Sequence, residues 1–328
     1  MNKQTKKYSY SKLNTYNSCG WQYYLTYEEG HYIFSESVAN EVGNLVHWTE
    51  ETIARTILNG QKPDYDKLKN DFRNIHIERG FGQRTAINGT NLLKEKYKEE
   101  FFEPDKNGSS YASRCEDYLS YGIYRLEKYL DANPNLEIYG MEKYFSLEFG
   151  DGVLSGYIDR IFYDKEANIY YIEDIKTKNK PFKDTELVTP LQFVVYVKAL
   201  SQNLGLGFEH FKCAYDLPFL DMKQEAGTKG YMDRGIKKMN DIFASISAKD
   251  FEPNPSPLCA WCTYSPTNPN QPEAAKLLCP YYSKWTETNR VHKVAHKWEG
   301  MEKHAEIMEK EIAEQKRREI VESEDFEF

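Results

Sequence analysis

Apolar residues recur at helical intervals through the first third of the chain and at alternate positions through its middle, and this change of period divides the sequence. Ser9 to Tyr24 reads as a short helix, with Ser9 or Ser11 as N-cap, and Val38 to Leu58 as a longer amphipathic one. Helical spacing returns over about 64–78, 90–103 and 110–131, punctuated by Gly, Pro and Asn, and Asn133-Pro134-Asn135 closes this part. Glu137 to Phe149 then alternates and predicts a strand. Asp151-Gly152 is a tight-turn signal, Val153 to Tyr163 a second strand, Asp164 to Asn168 a turn and Ile169 to Lys176 a third strand. A helix over Thr185 to Leu204, a strand over Phe208 to Asp216 and a helix over Tyr231 to Ala248 follow. The order βββαβ, preceded by helices, predicts an α/β layer around a mixed sheet. Residues 251–283 are irregular and rich in Pro and Cys, and Trp285 to Val321 predicts a charged helix.

Composition adds constraints. The 328 residues, 40% hydrophobic and 29% charged, suffice for one large domain or two modest ones. No apolar run approaches the roughly 20 residues of a membrane span, and no apolar segment follows the basic N-terminus. A cytoplasmic location is the expectation. A net charge of −8 sits awkwardly with a nucleic-acid partner. Met301 to Phe328, however, holds ten acidic against five basic residues, so the other 300 residues carry only about −3. The 26 tyrosines could stack on bases, although tyrosine-rich cores and surfaces are the commoner cause.

The chemistry concentrates in Gly156-Tyr157-Ile158-Asp159-Arg160 and Ile172-Glu173-Asp174-Ile175-Lys176-Thr177. Alternation on the third strand points Asp174 and Lys176 to one side and Glu173 and Ile175 to the other. An antiparallel neighbour brings Asp159 alongside. Two carboxylates so close repel unless one is protonated or a divalent cation lies between them. Mg²⁺ or Mn²⁺ there would polarise a phosphodiester and acidify a bound water, and a lysine would offset charge developing on the phosphate. A bare Asp-x-Lys is more often a surface ion pair across strands. Gln192 and Tyr196, four apart, share one face of the following helix.

Taken together, these segments resemble the RecB-type branch of the PD-(D/E)xK nucleases. The likeness rests on Gly-x-x-Asp159-Arg, Asp174-x-Lys176-Thr177, Gln192-x3-Tyr196 and the earlier Gly43-x3-His47. Ser9-Tyr10-Ser11-Lys12-Leu13 through Cys19 and Tyr23-Tyr24 adds to it, and it spans roughly residues 9–285. It implies a restriction-endonuclease-like core. It also implies that His47, Asp159, Asp174 and the Ile175 carbonyl ligate the metal, that Lys176 is the catalytic lysine, and that Gln192 and Tyr196 contact DNA or orient the site. Glu142 is a weaker candidate for an outer or second-metal role. The chain then divides into a helical region 1–135 carrying Cys19 and His47, a nuclease core 136–250, a cysteine segment 251–283, and a charged helix with acidic tail 284–328. The implied activity is a metal-dependent DNA exonuclease on single-stranded or end-bearing DNA in recombination, repair or phage DNA processing. The alternative is a DNA-end-binding or recombination-partner protein with little catalysis. No Gly-x4-Gly-Lys-Ser/Thr loop occurs, so any ATP-driven helicase partner must be another chain.

Of the six cysteines, Cys259-x2-Cys262 sits in an irregular segment and has the spacing of a metal half-site. Cys279 and Cys19 would complete four ligands. One cysteine before the core and three after it resembles the CRISPR-adaptation and AddB-type nucleases and implies a 4Fe–4S cluster; the gap before Cys279 is longer than usual in that arrangement. A structural Zn²⁺ and unmetallated thiols are the other readings. Cys115 and Cys213 read as buried apolar residues. The acidic end, Glu322 to Phe328, resembles the tips with which single-strand-binding proteins recruit partners, although acidic tails are common.

Overall fold

The alternating middle of the chain forms a six-stranded mixed sheet flanked by helices. The structure, a computed structural model, describes residues 6–33, 37–73 and 99–265, together with 268, 271–275, 278, 279 and 281. The helix expected over Trp285 to Val321, the acidic tail and most of the helical spacing at 90–103 lie outside the described residues. Two compact units are present. One comprises Met1–Tyr10 and Glu36–Met239, the other Ser11–Ser35 and Asn240–Phe328. Among the described residues no helix is long and apolar enough to cross a membrane.

In the first unit the sheet is built on β1 (Lys6–Tyr8), β2 (Leu136–Phe149), β3 (Gly152–Asp164), β4 (Ile169–Ile175), β5 (Phe211–Leu217) and β6 (Met222–Ala226). β2, β3 and β4 form the expected antiparallel meander, β4 and β5 run parallel, and β6 returns antiparallel to β5. β2 covers one edge of β3 along its whole length. The other edge is shared: β1 pairs in parallel with residues 152–154 and β4 with residues 160–164. Residues 155–159 of β3 therefore face a gap between two strands, and Asp159 stands at its lip.

The helices follow from the same pattern, with breaks that backbone chemistry explains. α1 (Tyr10–Ser18) and α2 (Gly20–Tyr23) replace the single helix expected over Ser9 to Tyr24. Cys19 between them is extended, with φ −163°, and α2 passes into a π-helical turn at Tyr24–Glu28. α3 (Val38–Leu58) begins where expected, and its Ser37 cap accepts a hydrogen bond from Asn40 N at 3.2 Å. α4 (Tyr65–Arg73) follows. The helix expected over 110–131 divides into α5 (Tyr111–Ser120) and α6 (Arg125–Ala132), with a 3₁₀ turn from Gly122 to Tyr124 between them. A β-carbon at Gly122 would meet the Tyr118 ring at 2.6 Å. Pro190 splits the next helix into α7 (Asp184–Leu187) and α8 (Leu191–Leu204), because proline disfavours helical backbone in the residue before it. Gly205, at φ 67°, ends α8. Residues 208–210 form a 3₁₀ turn, so the fourth expected strand begins at Phe211, and α9 (Tyr231–Ser247) follows β6. The core between α3, α4, α5, α6 and the sheet is built from Val42, Val46, Ile53, Phe72, Leu119, Phe162 and Ile175, all at most 1% exposed.

Candidate active site and cysteine site

The gap beside β3 collects the charged side chains. Asp159 Oδ2 accepts a hydrogen bond from Ile175 N at 2.7 Å, which fastens the middle of β3 to the end of β4 where their ladder stops. His47, on α3, approaches from the side. Its Nε2 lies 3.0 Å from the Ile175 carbonyl, and its Nδ1 lies 3.8 Å from both Glu142 Oε1 and Asp159 Oδ2. Donor atoms of His47, Glu142 and Asp159 all fall within 4.8 Å of one another, the one such group among the described residues. Glu142 faces Asp159 across the β2–β3 ladder, between the pairs Met141–Arg160 and Lys143–Ile158. Its φ of +47° is strained for a non-glycine residue, a feature that clusters at functional sites.

Asp174 is completely buried. Its Oδ1 accepts from Gln192 Nε2 at 2.6 Å, and the same amide group donates to Tyr196 Oη at 2.7 Å. Its Oδ2 lies 2.5 Å from Lys176 Nζ, yet accepts no well-aligned hydrogen bond. Burial, with the charge of Asp159 next to it, pushes the Asp174 carboxyl up to about 7. Burial also raises Asp159, against the pull of His47 and Lys176. Burial works to lower His47 and Lys176, but the surrounding carboxylates outweigh it and both are raised. The site thus holds more negative charge than its own cations settle, and a buried carboxylate oxygen that its neighbours do not fully satisfy. Hard oxygen donors in such a deficit, beside one imidazole, fit a divalent cation.

His47, Asp159, Asp174, the Ile175 carbonyl, Lys176, Gln192 and Tyr196 are thus brought to one place. Asp174 stands outside the three-donor group and Glu142 stands within it. The pairing that puts Glu142 opposite Asp159 is not readable from spacing alone. Tyr10, just after β1, is part of the sequence likeness but carries no expected role: burial raises its hydroxyl pKa, and it is close enough to feel the charges of Lys176 and Asp174.

Glu173 and Arg160 point away from the site, as alternation requires, and anchor a buried ionic hub. The Arg160 guanidinium donates to Glu173 Oε2 at 2.9 and 2.6 Å, to Glu50 Oε2 on α3 at 2.9 Å, and to Asp216 Oδ2 on β5. Tyr118 donates to Glu50 at 2.8 Å, while Lys223 pairs with Glu173 at 2.5 Å and Arg125 with Asp216 at 2.7 Å. Arg160 and Glu173 stand one residue from Asp159 and Asp174, and Glu50 one helical turn from His47. The hub therefore sets the spacing of the strands and helix that carry the site.

The second unit holds Cys19, Cys259, Cys262 and Cys279, which all line one cavity of about 40 Å³. No three of these sulfurs lie within 4.8 Å of one another. Asn254 N donates to Cys19 Sγ at 3.3 Å and Ser256 N to Cys259 Sγ at 3.4 Å, and backbone hydrogen bonds from Tyr264 and Tyr281 act on Cys262 and Cys279. Trp21, Tyr24, Leu25, Tyr264 and Leu278 pack around them. Cys115 and Cys213 lie elsewhere, buried, with thiols pushed by burial up to about 12.

Comparison with known proteins places the chain in a family. The family model described as the PD-(D/E)XK nuclease superfamily matches residues 7–267. No curated protein matches the chain. Among solved structures, a candidate exonuclease from Eubacterium rectale aligns with TM-score 0.41 and 16% identity over 77% of this chain and 86% of its own. The protein SSO0001 aligns with TM-score 0.25 and 16% identity over 80% of this chain and 96% of its own. The family match spans most of the chain, and the chain belongs to the PD-(D/E)XK nuclease superfamily.

Proposed function

From membership of that superfamily, we propose that the chain is a Mg²⁺- or Mn²⁺-dependent DNA nuclease of the RecB-type branch. It acts as an exonuclease on single-stranded or end-bearing DNA, and a 4Fe–4S cluster holds its second unit together. The observation that carries the catalytic part is the convergence of Asp159, Asp174 and Lys176 at the gap in the sheet, with His47 and Glu142 within reach. His47, Asp159 and Asp174 would hold the cation, with Glu142 and the Ile175 carbonyl beside them. When bound, a divalent cation supplies Lewis acidity to the scissile phosphate and lowers the pKa of water.

The protein's own groups do the rest. The Lys176 ammonium, kept charged by Asp174 and Asp159, offsets negative charge developing on the phosphate. Gln192 fixes the Asp174 carboxylate by donating to Oδ1, which leaves Oδ2 beside Lys176 as the oxygen that would ligate a cation. Tyr196 in turn fixes the Gln192 amide. Residues 155–159 of β3, which among the described residues pair with no strand on the edge that β1 and β4 share, are where a DNA strand would approach these groups.

Cys19 from before the core and Cys259, Cys262 and Cys279 from after it line one cavity, which supports a metal group shared by all four. Backbone N–H groups aimed at sulfur are suited to stabilising bound thiolates.

The test is digestion of end-labelled single- and double-stranded DNA with Mg²⁺, Mn²⁺ or EDTA, using anaerobically purified protein beside Lys176→Ala. Cation-dependent cleavage that falls by about 10²–10³ in the variant is expected, and the label pattern gives polarity. Equal inertness of both proteins, with DNA ends still bound, would replace the enzyme with a binding module. Iron and sulfide analysis of the same preparation tests the cluster, and zinc in place of iron overturns it.

A further inference from the structure

Two tyrosines stand in the open beside the site. Tyr144 on β2 and Tyr157 on β3 are cross-strand partners, 56% and 57% exposed, with ring centroids 5.4 Å apart and planes inclined at 62°. Large aromatic side chains exposed as a pair leave apolar faces in water for no gain to the core. Along β3, Tyr157 is exposed next to buried Ile158, and the largely buried Asp159 follows two residues on. Two residues of strand separate them by about 6.6 Å, on the order of the reach of one extended nucleotide. Tyr157 also lies within residues 155–159, where β3 has no strand partner on its gap edge.

We propose that Tyr144 and Tyr157 form a stacking platform for an unpaired base of a single-stranded DNA segment, one nucleotide from the phosphate held at Asp159 and Asp174. The proposal rests on the nuclease function and adds the feature that favours unpaired substrate. A paired base has its faces covered by its neighbours in the duplex, whereas an unpaired one offers a face to an aromatic ring. Because every base has such a face, the platform is indifferent to sequence. The rings are held by each other and by the β2–β3 ladder, so little ordering is lost when a base settles on them.

The experiment places 2-aminopurine one, two or three nucleotides from the end of a single-stranded oligonucleotide. Its fluorescence is followed with wild type, Tyr157→Ala, Tyr144→Ala and Tyr157→Phe in Ca²⁺, while cleavage kinetics are measured in Mg²⁺. Quenching confined to one position is expected, lost in the alanine variants and kept in Tyr157→Phe. KM for single strands should rise about tenfold in each alanine variant, with kcat within twofold and unchanged cleavage of blunt duplex. Wild type acting on a strand abasic at that position should show the same tenfold loss, and Tyr157→Ala should show no further loss. This arm needs no variant to fold on its own for a first answer. If wild type cleaves but ignores the abasic site, and the alanine variants keep its KM, the platform is overturned and the nuclease stands. If wild type neither binds nor cleaves any strand, it is the nuclease that fails.

Discussion

Arg160 is 2% exposed, as are Glu50, Glu173 and Asp216, the three carboxylates it holds. Burial alone would lower its pKa, but the three anions raise it well above the ordinary value, so it remains a cation in the interior. Asp216 shows the reverse balance: burial pushes it up, and Arg160 and Arg125 bring it below the usual range. Removing the cation leaves buried carboxylates unpaired, so Arg160→Met should cost about 3–5 kcal/mol in urea unfolding with EDTA present. The loss has a pH signature. Without Arg160, burial sets the folded pKa of Glu50 and Asp216 above the unfolded one. A carboxyl raised in this way opposes folding most at neutral pH and not at all below its unfolded pKa, near 4. The gap between variant and wild type should therefore shrink as pH falls from 7 towards 4. A gap that is constant across that range would mean that Arg160 acts through packing alone. The sequence marked Arg160 only as a companion of Asp159. Its partners lie 110, 13 and 56 residues away, on three different elements, and no local spacing joins them.

Among the elements, those with a long periodic pattern were legible and those defined by partners were not. α3 and the β2–β3–β4 meander stand close to the expected bounds because 7 to 21 residues of consistent period leave no competing register. β1 has three residues and β6 five, Met-Lys-Gln-Glu-Ala, with no alternation to read; each is a strand because a neighbour's edge was open to it. Without β1 the gap beside β3 could not be foreseen, although the residues that use it could. Capping and close approach give two element-level predictions. Ser37→Ala removes the cap of the helix that carries His47 and should cost about 1 kcal/mol of stability, with KM for DNA unchanged; a loss of activity without a loss of stability would show that the cap acts on the site instead. At Gly20, a β-carbon would stand 2.6 Å from the Glu252 carbonyl oxygen, a backbone atom with little freedom to yield. Gly20→Ala should lower both stability and iron content, because it displaces the segment after Cys19. Full iron content in that variant would indicate that the strand of chain at 251–252 moves without cost to the cysteine cavity.

At the scale of the molecule, the chain leaves the second unit after Ser35 and re-enters it at Asn240, so Cys19 and Cys259 are near in space and far apart in sequence. The proposed cluster, by joining them, would close a loop of some 240 residues in the unfolded chain. By the loop-entropy relation for cross-links, that constraint is worth about 5 kcal/mol, comparable to the whole stability of a modest domain. Among the described residues, the apolar cluster that includes Cys262 and Cys279 has only Leu25, Tyr264 and Ala275 as its buried centre. If the proposed cluster is bound, the second unit should depend on it and the first should not, since the first has its own sheet, hub and helical core. Cys19→Ala, or oxidative loss of iron from wild type, should move one calorimetric transition down by many degrees and leave another in place. The cysteine pattern was legible in the sequence, but its energetic weight becomes clear only with the small core around it. Cleavage tests whether the units also depend on each other. If the iron-free protein keeps the upper transition and still degrades single strands, the cluster stabilises its own unit alone. If activity disappears while that transition stays, the second unit contributes to substrate capture and not only to stability. A single transition that does not move on loss of iron would mean that the cysteines staple nothing.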